Sequence, residues 1–187
     1  MAVKKPQVKP DLSQPLLIYP DQVKIKEDFL SGQGKIAGQK VSIAFKSSKD
    51  LTDVIKQRKI VLLHDLSADI DPIAGPTNPG EFDFKKYNEG HGIYWRLKIK
   101  NYQASIKSPN LTERIHILRS ELQHYFANFQ PLTRFLASEM ILAENPTDDT
   151  KNILENYRDL GVIHLLSISG LHVGLYTLFL TLICSLV

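Results

Sequence analysis

The segment Ile93-Tyr94-Trp95-Arg96-Leu97-Lys98-Ile99 alternates with a period of two, the signature of a half-buried strand. Ile93, Trp95, Leu97 and Ile99 fall on one face; Tyr94, Arg96, Lys98, Lys100 and Tyr102 fall on the other. The first set predicts a core side and the second a solvent side. Upstream, Lys40-Val41-Ser42-Ile43-Ala44-Phe45 repeats the pattern and Ile60-Val61-Leu62-Leu63 is a short buried run. Val23, Ile25 and Gly34-Lys35-Ile36 begin the series. Four or five short strands between residues 21 and 107 argue a small antiparallel barrel or sandwich. The intervening stretch DPIAGPTNPGEFDFKKY is rich in turn residues, and its prolines forbid continued pairing. Residues 1–20 hold four prolines and read as an extended linker leading into a strand.

From Leu111 the period becomes helical. Ile115, Leu118, Leu122, Tyr125, Phe126 and Phe129 predict an amphipathic helix with Thr112 as N-cap. Its polar side carries Arg114, His116, Arg119, Glu121 and His124. Such a helix could lie in a membrane interface or pack on its neighbours. Pro131 permits a second helix through Ile141, and a third is expected from Thr147 or Asp148 to Leu160, stopped by Gly161. The fold class expected is α+β: a small antiparallel barrel, then amphipathic helices, then a C-terminal transmembrane helix.

That last element rests on composition. The chain has 187 residues, a net charge of +3 and 43% hydrophobic residues, enough for a core and too little charge to announce nucleic-acid binding. A single cysteine, Cys184, excludes a disulfide scaffold and a cysteine-built zinc site. Yet residues 1–60 hold twelve Lys+Arg against six Asp+Glu, while Leu160–Val187 holds none of these. A helix over the last 26 residues would span roughly 39 Å, against about 30 Å of hydrocarbon. The apolar run ends at Val187 with no flanking charge, which reads as a chain interrupted after its first membrane helix.

Within that run, His164 and His172 stand eight residues apart, about 80° around and two turns along a helix, too far to share one metal. With Asp159 nearby they are the only basis for a metal-dependent hydrolase reading, and no metal site or cofactor is expected. Polar groups at membrane depth should face protein or a water-filled cavity. Gly170 and Gly174 form a small-xxx-small pair that lets another helix approach, and Ser169-Gly170 offers a break.

Two stretches resemble a known family. Gly161-Val162-Ile163-His164-Leu165-Leu166-Ser167-Ile168-Ser169-Gly170-Leu171-His172-Val173 is similar to the segment that opens the membrane competence domain of the ComEC family. Pro76-Thr77-Asn78-Pro79-Gly80-Glu81-Phe82-Asp83-Phe84, with Tyr87 and Gly92-Ile93, resembles that family's OB-like domain near its C-terminal strand. The motif residues are Asn78, Pro79, Gly80, Phe82 and Asp83 in the first domain, and His164, Ser169, Gly170, His172 and Gly174 in the channel helix.

The resemblance implies a fragment of a bacterial channel for transforming DNA, set in the cytoplasmic membrane with the OB-like domain on the extracytoplasmic side. It implies four regions: a linker over 1–20, an OB-like barrel over 21–108, a helical connector over 109–160, and the truncated start of the membrane domain over 161–187. The partners expected are single-stranded DNA and the further membrane helices of the full-length channel, from the resemblance, with membrane lipid, from the apolar run, and a second copy of the chain. Many relatives carry a metallo-β-lactamase-like domain, whose His-x-His-x-Asp-His motif is absent here, so no enzyme is expected. Within the barrel, Tyr94, Arg96, Lys98, Lys100 and Tyr102 are the candidate DNA contacts: cations follow phosphates and rings stack on bases. The competing readings are a solvated strand face, and a membrane-anchored module for a protein or glycan partner.

Overall fold

The computed structural model describes residues 8–78, 80–142, 151–161 and 174. They fall into two compact units, Met1–Ser120 and Glu121–Val187, with the boundary inside one helix.

The first unit is a closed barrel of five staves. Its strands are β1 (Leu16–Ile18), β2 (Val23–Lys26), β3 (Phe29–Ile36), β4 (Gln39–Lys46), β5 (Ile60–Pro72) and β6 (Ile93–Lys107). The order β1-β5-β6-β4-β3 closes because β1 also pairs β3, Leu16 opposite Ile36. A 3-10 turn at Pro20–Gln22 breaks the first stave, and β2 continues it along the other half of β3. The linker expected over 1–20 therefore gives way at Leu16 to a core strand, with Leu16 and Ile18 fully buried.

The expectation of an all-antiparallel barrel is corrected in one place: β4 and β6 run parallel. Parallel neighbours need a crossover. The chain supplies it through helix α1 (Lys49–Lys56) and β5, the arrangement of an OB-like α+β fold. Neither α1 nor the short helix α2 (Phe84–Gly90) was legible from periodicity. α1 is a local event: Ser48 Oγ accepts from the Leu51 N–H, and Leu51 and Ile55 bury one turn apart. The β3–β4 hairpin turns on two residues, Ala37 and Gly38, both with positive φ. Gly32 is required where β3 passes Gln22, because a Cβ there would sit 2.2 Å from the Gln22 carbonyl oxygen. The core is built from Leu16, Leu30, Ile43, Phe45, Leu63 and Leu97, among others.

Helix α3 (Arg114–Ala127) follows β6. Within the first unit the buried positions of α3 and the residues leading into it are polar, Glu113 and Ser120, whereas Leu111, Ile115 and Leu118 are 80%, 59% and 55% exposed. The second unit contains the end of α3, α4 (Pro131–Ala137) running into a π-helical turn at Ser138–Leu142, and α5 (Lys151–Asp159). Phe126, Phe135 and Leu142 are its buried apolar residues among those described. Among the described residues no helix is long and apolar enough to cross a membrane. The expected transmembrane segment lies outside them, apart from Gly174, which is helical and exposed.

Candidate nucleic-acid interface

The outer row of β6 forms as its alternation predicts over the first half of the strand. Leu97 and Ile99 are buried while Arg96, Lys98 and Lys100 are exposed, and Tyr94 is half-buried. Trp95 packs partly buried against the core, with its indole N–H buried and unbonded.

Tyr102 does not share that row. The β5–β6 ladder shifts register between His64, Ser67 and Ala68, so two bulges interrupt the alternation. Beyond them Tyr102 packs against the core, edge-on to Phe45 at 5.4 Å, and its hydroxyl accepts the Ser48 N–H at 2.8 Å. Its ring caps α1 and the barrel rather than offering a stacking face.

Charge along the row is divided. Lys98 pairs with Asp71 at 3.0 Å and Lys100 with Asp69 at 2.8 Å. The Lys100 ammonium holds the Asp69 carboxyl below its ordinary value. Arg96 lies opposite Asp71 in register yet makes no ion pair among the described residues. Asp69 and Asp71 are visible as alternate positions of β5, but only the pairing of the two strands reveals that they meet the lysines.

The parallel pairing adds residues that sequence reasoning did not assign. Ser42 of β4 sits beside Arg96, and Gln33 of β3 lies opposite Ser42, giving a row Gln33–Ser42–Arg96 across three strands. Lys40 and Lys46 share the outward positions of β4, Lys35 those of β3 and Lys24 those of β2. Lys46 is paired with Asp28 at 2.7 Å; Lys24, Lys35 and Lys40 have no ion pair among the described residues. Lys35 and Lys40 are direct cross-strand partners, a like-charge pair that costs stability unless an anion meets it. The signal was present in the alternation of residues 40–46, whose outward positions begin and end on lysine. The face is a floor of small side chains, Ser31, Ser42 and Ala44, rimmed by cations.

The 76–84 motif is a built turn. The Glu81 carboxylate accepts the Thr77 and Asn78 N–H groups and the Thr77 hydroxyl, at 3.1, 3.2 and 3.3 Å, and these bonds hold it below its ordinary pKa. Asp83 caps α2 by accepting the Lys86 N–H, and Gly80 has a positive φ. Phe82 projects into solvent, and Pro79 lies outside the described residues. A separate groove of about 810 Å³ lies between α1 and the far end of β6, lined by Ser48, Leu51, Val54, Lys100, Tyr102 and Ile106. Among the described residues no group of three or more His, Cys, Asp or Glu could hold a metal. His164, Ser169, Gly170 and His172 lie outside the described residues, and Asp159 ends α5.

Comparison with known proteins adds two matches. The family model "Competence protein" matches residues 148–187. ComE operon protein 3 of Bacillus subtilis (strain 168) is 29% identical over 101 residues, covering 54% of this chain. Both matches are to competence proteins, at low identity and over part of the chain. The chain spans 13% of the length of that relative. Among solved structures, a Leishmania major Friedlin chain assigned as an aspartyl-tRNA synthetase aligns over 74% of this chain and 29% of its own. Its identity is 13% and its TM-score 0.30, a likeness that carries no argument.

Proposed function

We propose that this chain contributes a DNA-contacting barrel to a bacterial DNA-uptake machinery. The outer β3–β4–β6 face holds single-stranded DNA by its backbone. The observation that carries the reading is the row Gln33–Ser42–Arg96 between Lys35, Lys40 and Lys24, cations with no ion pair among the described residues, on an OB-like barrel in a chain that matches competence proteins. In this reading residues 162–187 span the cytoplasmic membrane and pack with further helices. The barrel lies on the extracytoplasmic side and acts as a contact surface without catalysis.

The test is a titration of the chain with a labelled oligonucleotide over a range of salt. Each single-strand phosphate contact contributes about 0.7 to the slope of log affinity against log salt. Lys40→Ala with Arg96→Ala should flatten that slope by up to roughly 1.4. Equal slopes for the two proteins would sink the interface. A protein or glycan partner is the second reading, favoured by Asp69 and Asp71, which neutralise two of the three cations of the β6 row.

A further inference from the structure

The loop between β5 and β6 turns three large rings toward solvent. Phe82 and Phe84 are each 58% exposed and Tyr87 is 43% exposed. The rings are mutually packed: Phe82 meets Phe84 edge-on at 5.0 Å and Tyr87 at 5.6 Å, and Tyr87 meets His91 at 4.5 Å. They are also fixed by their own loop. Glu81 gathers the preceding turn, Asp83 caps α2, and the Asn88 side-chain amide donates to the Phe84 carbonyl at 2.7 Å. A rigid aromatic surface left uncovered marks a binding site more often than a core defect.

What it binds follows from its neighbours. Lys85 and Lys86 stand in sequence between Phe84 and Tyr87, both exposed. The loop returns to the sheet at Ile93, whose partner on β4 is Lys40, and Tyr94 and Arg96 come next. The Ile73 N–H donates to the Tyr94 carbonyl at 3.1 Å, tying the start of the loop to the same place. The loop that carries the rings therefore joins the sheet at one end of the cationic floor. Phosphates on one side and flat apolar groups on the other are what a single nucleic-acid strand presents. In an edge-on pair, the ring offering its edge keeps both faces clear of its partner, so a base can stack there.

We propose that Phe82, Phe84 and Tyr87 form a stacking platform for bases of single-stranded DNA whose phosphates run past Lys40 and Arg96. This rests on the interface reading above and adds the element that holds the bases. The chain is titrated with a short oligothymidylate and with an abasic strand of equal length. The Phe82→Ala/Phe84→Ala/Tyr87→Ala variant should lose about tenfold or more in affinity for oligothymidylate. It should bind the abasic strand as the parent does, with an unchanged salt slope. Phe84→Trp alone should retain or tighten binding, since it enlarges the ring. If the triple variant binds oligothymidylate like the parent, or weakens equally on the abasic strand, the platform is overturned. If the parent binds neither strand, the interface reading itself fails and the platform with it. Release of the triple variant from phosphatidylcholine–phosphatidylglycerol vesicles, with DNA affinity intact, would make the rings a lipid contact and also overturn the proposal.

Discussion

The carboxylate of Asp21 accepts a hydrogen bond from Nδ1 of His116, 2.9 Å away and 95 positions along the chain. The Asp21 side chain is 3% exposed, Arg119 Nε lies 3.4 Å from it, and Tyr19 stacks on the imidazole at 3.8 Å. A buried carboxylate demands polar partners. That demand decides which side of α3 meets the barrel, and it leaves Ile115 and Leu118 facing out.

His116→Ala should therefore loosen the helix. Removing one partner of a buried acceptor costs about 1–3 kcal/mol. The loss should appear in denaturant unfolding, together with faster amide exchange across residues 114–120. Exchange unchanged from the parent would mean that the imidazole does not hold the helix.

Glu113 makes the same junction pH-sensitive. Burial pushes its carboxyl upward, but the Asn110 N–H and the Lys107 ammonium outweigh burial and hold it below the ordinary 4.5. A carboxyl depressed in the folded state contributes stability that is fully present above 4.5 and is lost as pH falls through the lower folded value. Glu113→Gln should therefore be less stable at neutral pH and show a shallower loss of stability below pH 4.5. Parallel stability–pH curves for the two proteins would remove Glu113 from the acid response.

The barrel was legible where one side of a strand meets only the core. Residues 40–45 and 93–99 alternate cleanly because their inner neighbours are uniformly apolar. Legibility failed where a non-local partner sets the phase. The register shifts opposite His64 and Ser67 turn Tyr102 inward, and nothing between Lys98 and Tyr102 announces them. β1 was hidden by the prolines around it, since three residues are too few to show a period. The apolar stripe of α3 was legible as a stripe, but whether it packs on the barrel or faces outward was not, because a buried aspartate 95 residues away fixes the helix's rotation. Half of the candidate site was likewise legible. Arg96 and the two β6 lysines were visible in their own strand, whereas Ser42, Lys40 and Asp69 required the pairing.

Tyr102→Phe separates structure from binding at that corrected position. The substitution removes the acceptor of the Ser48 N–H while keeping the ring on Phe45, a loss of about 1 kcal/mol. Oligonucleotide affinity should stay at the parental value. A drop in affinity without a drop in melting temperature would return Tyr102 to the interface.

Removing negative charge gives the sharpest test of the cationic face. Asp69 and Asp71 are exposed carboxylates that occupy Lys100 and Lys98, and exposed pairs of this kind contribute little to folding. Asp69→Asn with Asp71→Asn should leave the melting temperature unchanged and release two ammonium groups toward solvent. If phosphates run along β6, affinity for a single-stranded oligonucleotide should rise, and the salt slope should steepen by up to roughly 1.4, at about 0.7 per contact. The opposite pair, Lys98→Ala with Lys100→Ala, leaves two carboxylates facing the ligand and should weaken binding at low salt. Titration of both variants against the parent measures the two effects with opposite signs. Should the aspartate variant bind no better than the parent, the β6 row lies outside the DNA path, and Lys98 and Lys100 are solvated partners of their own sheet.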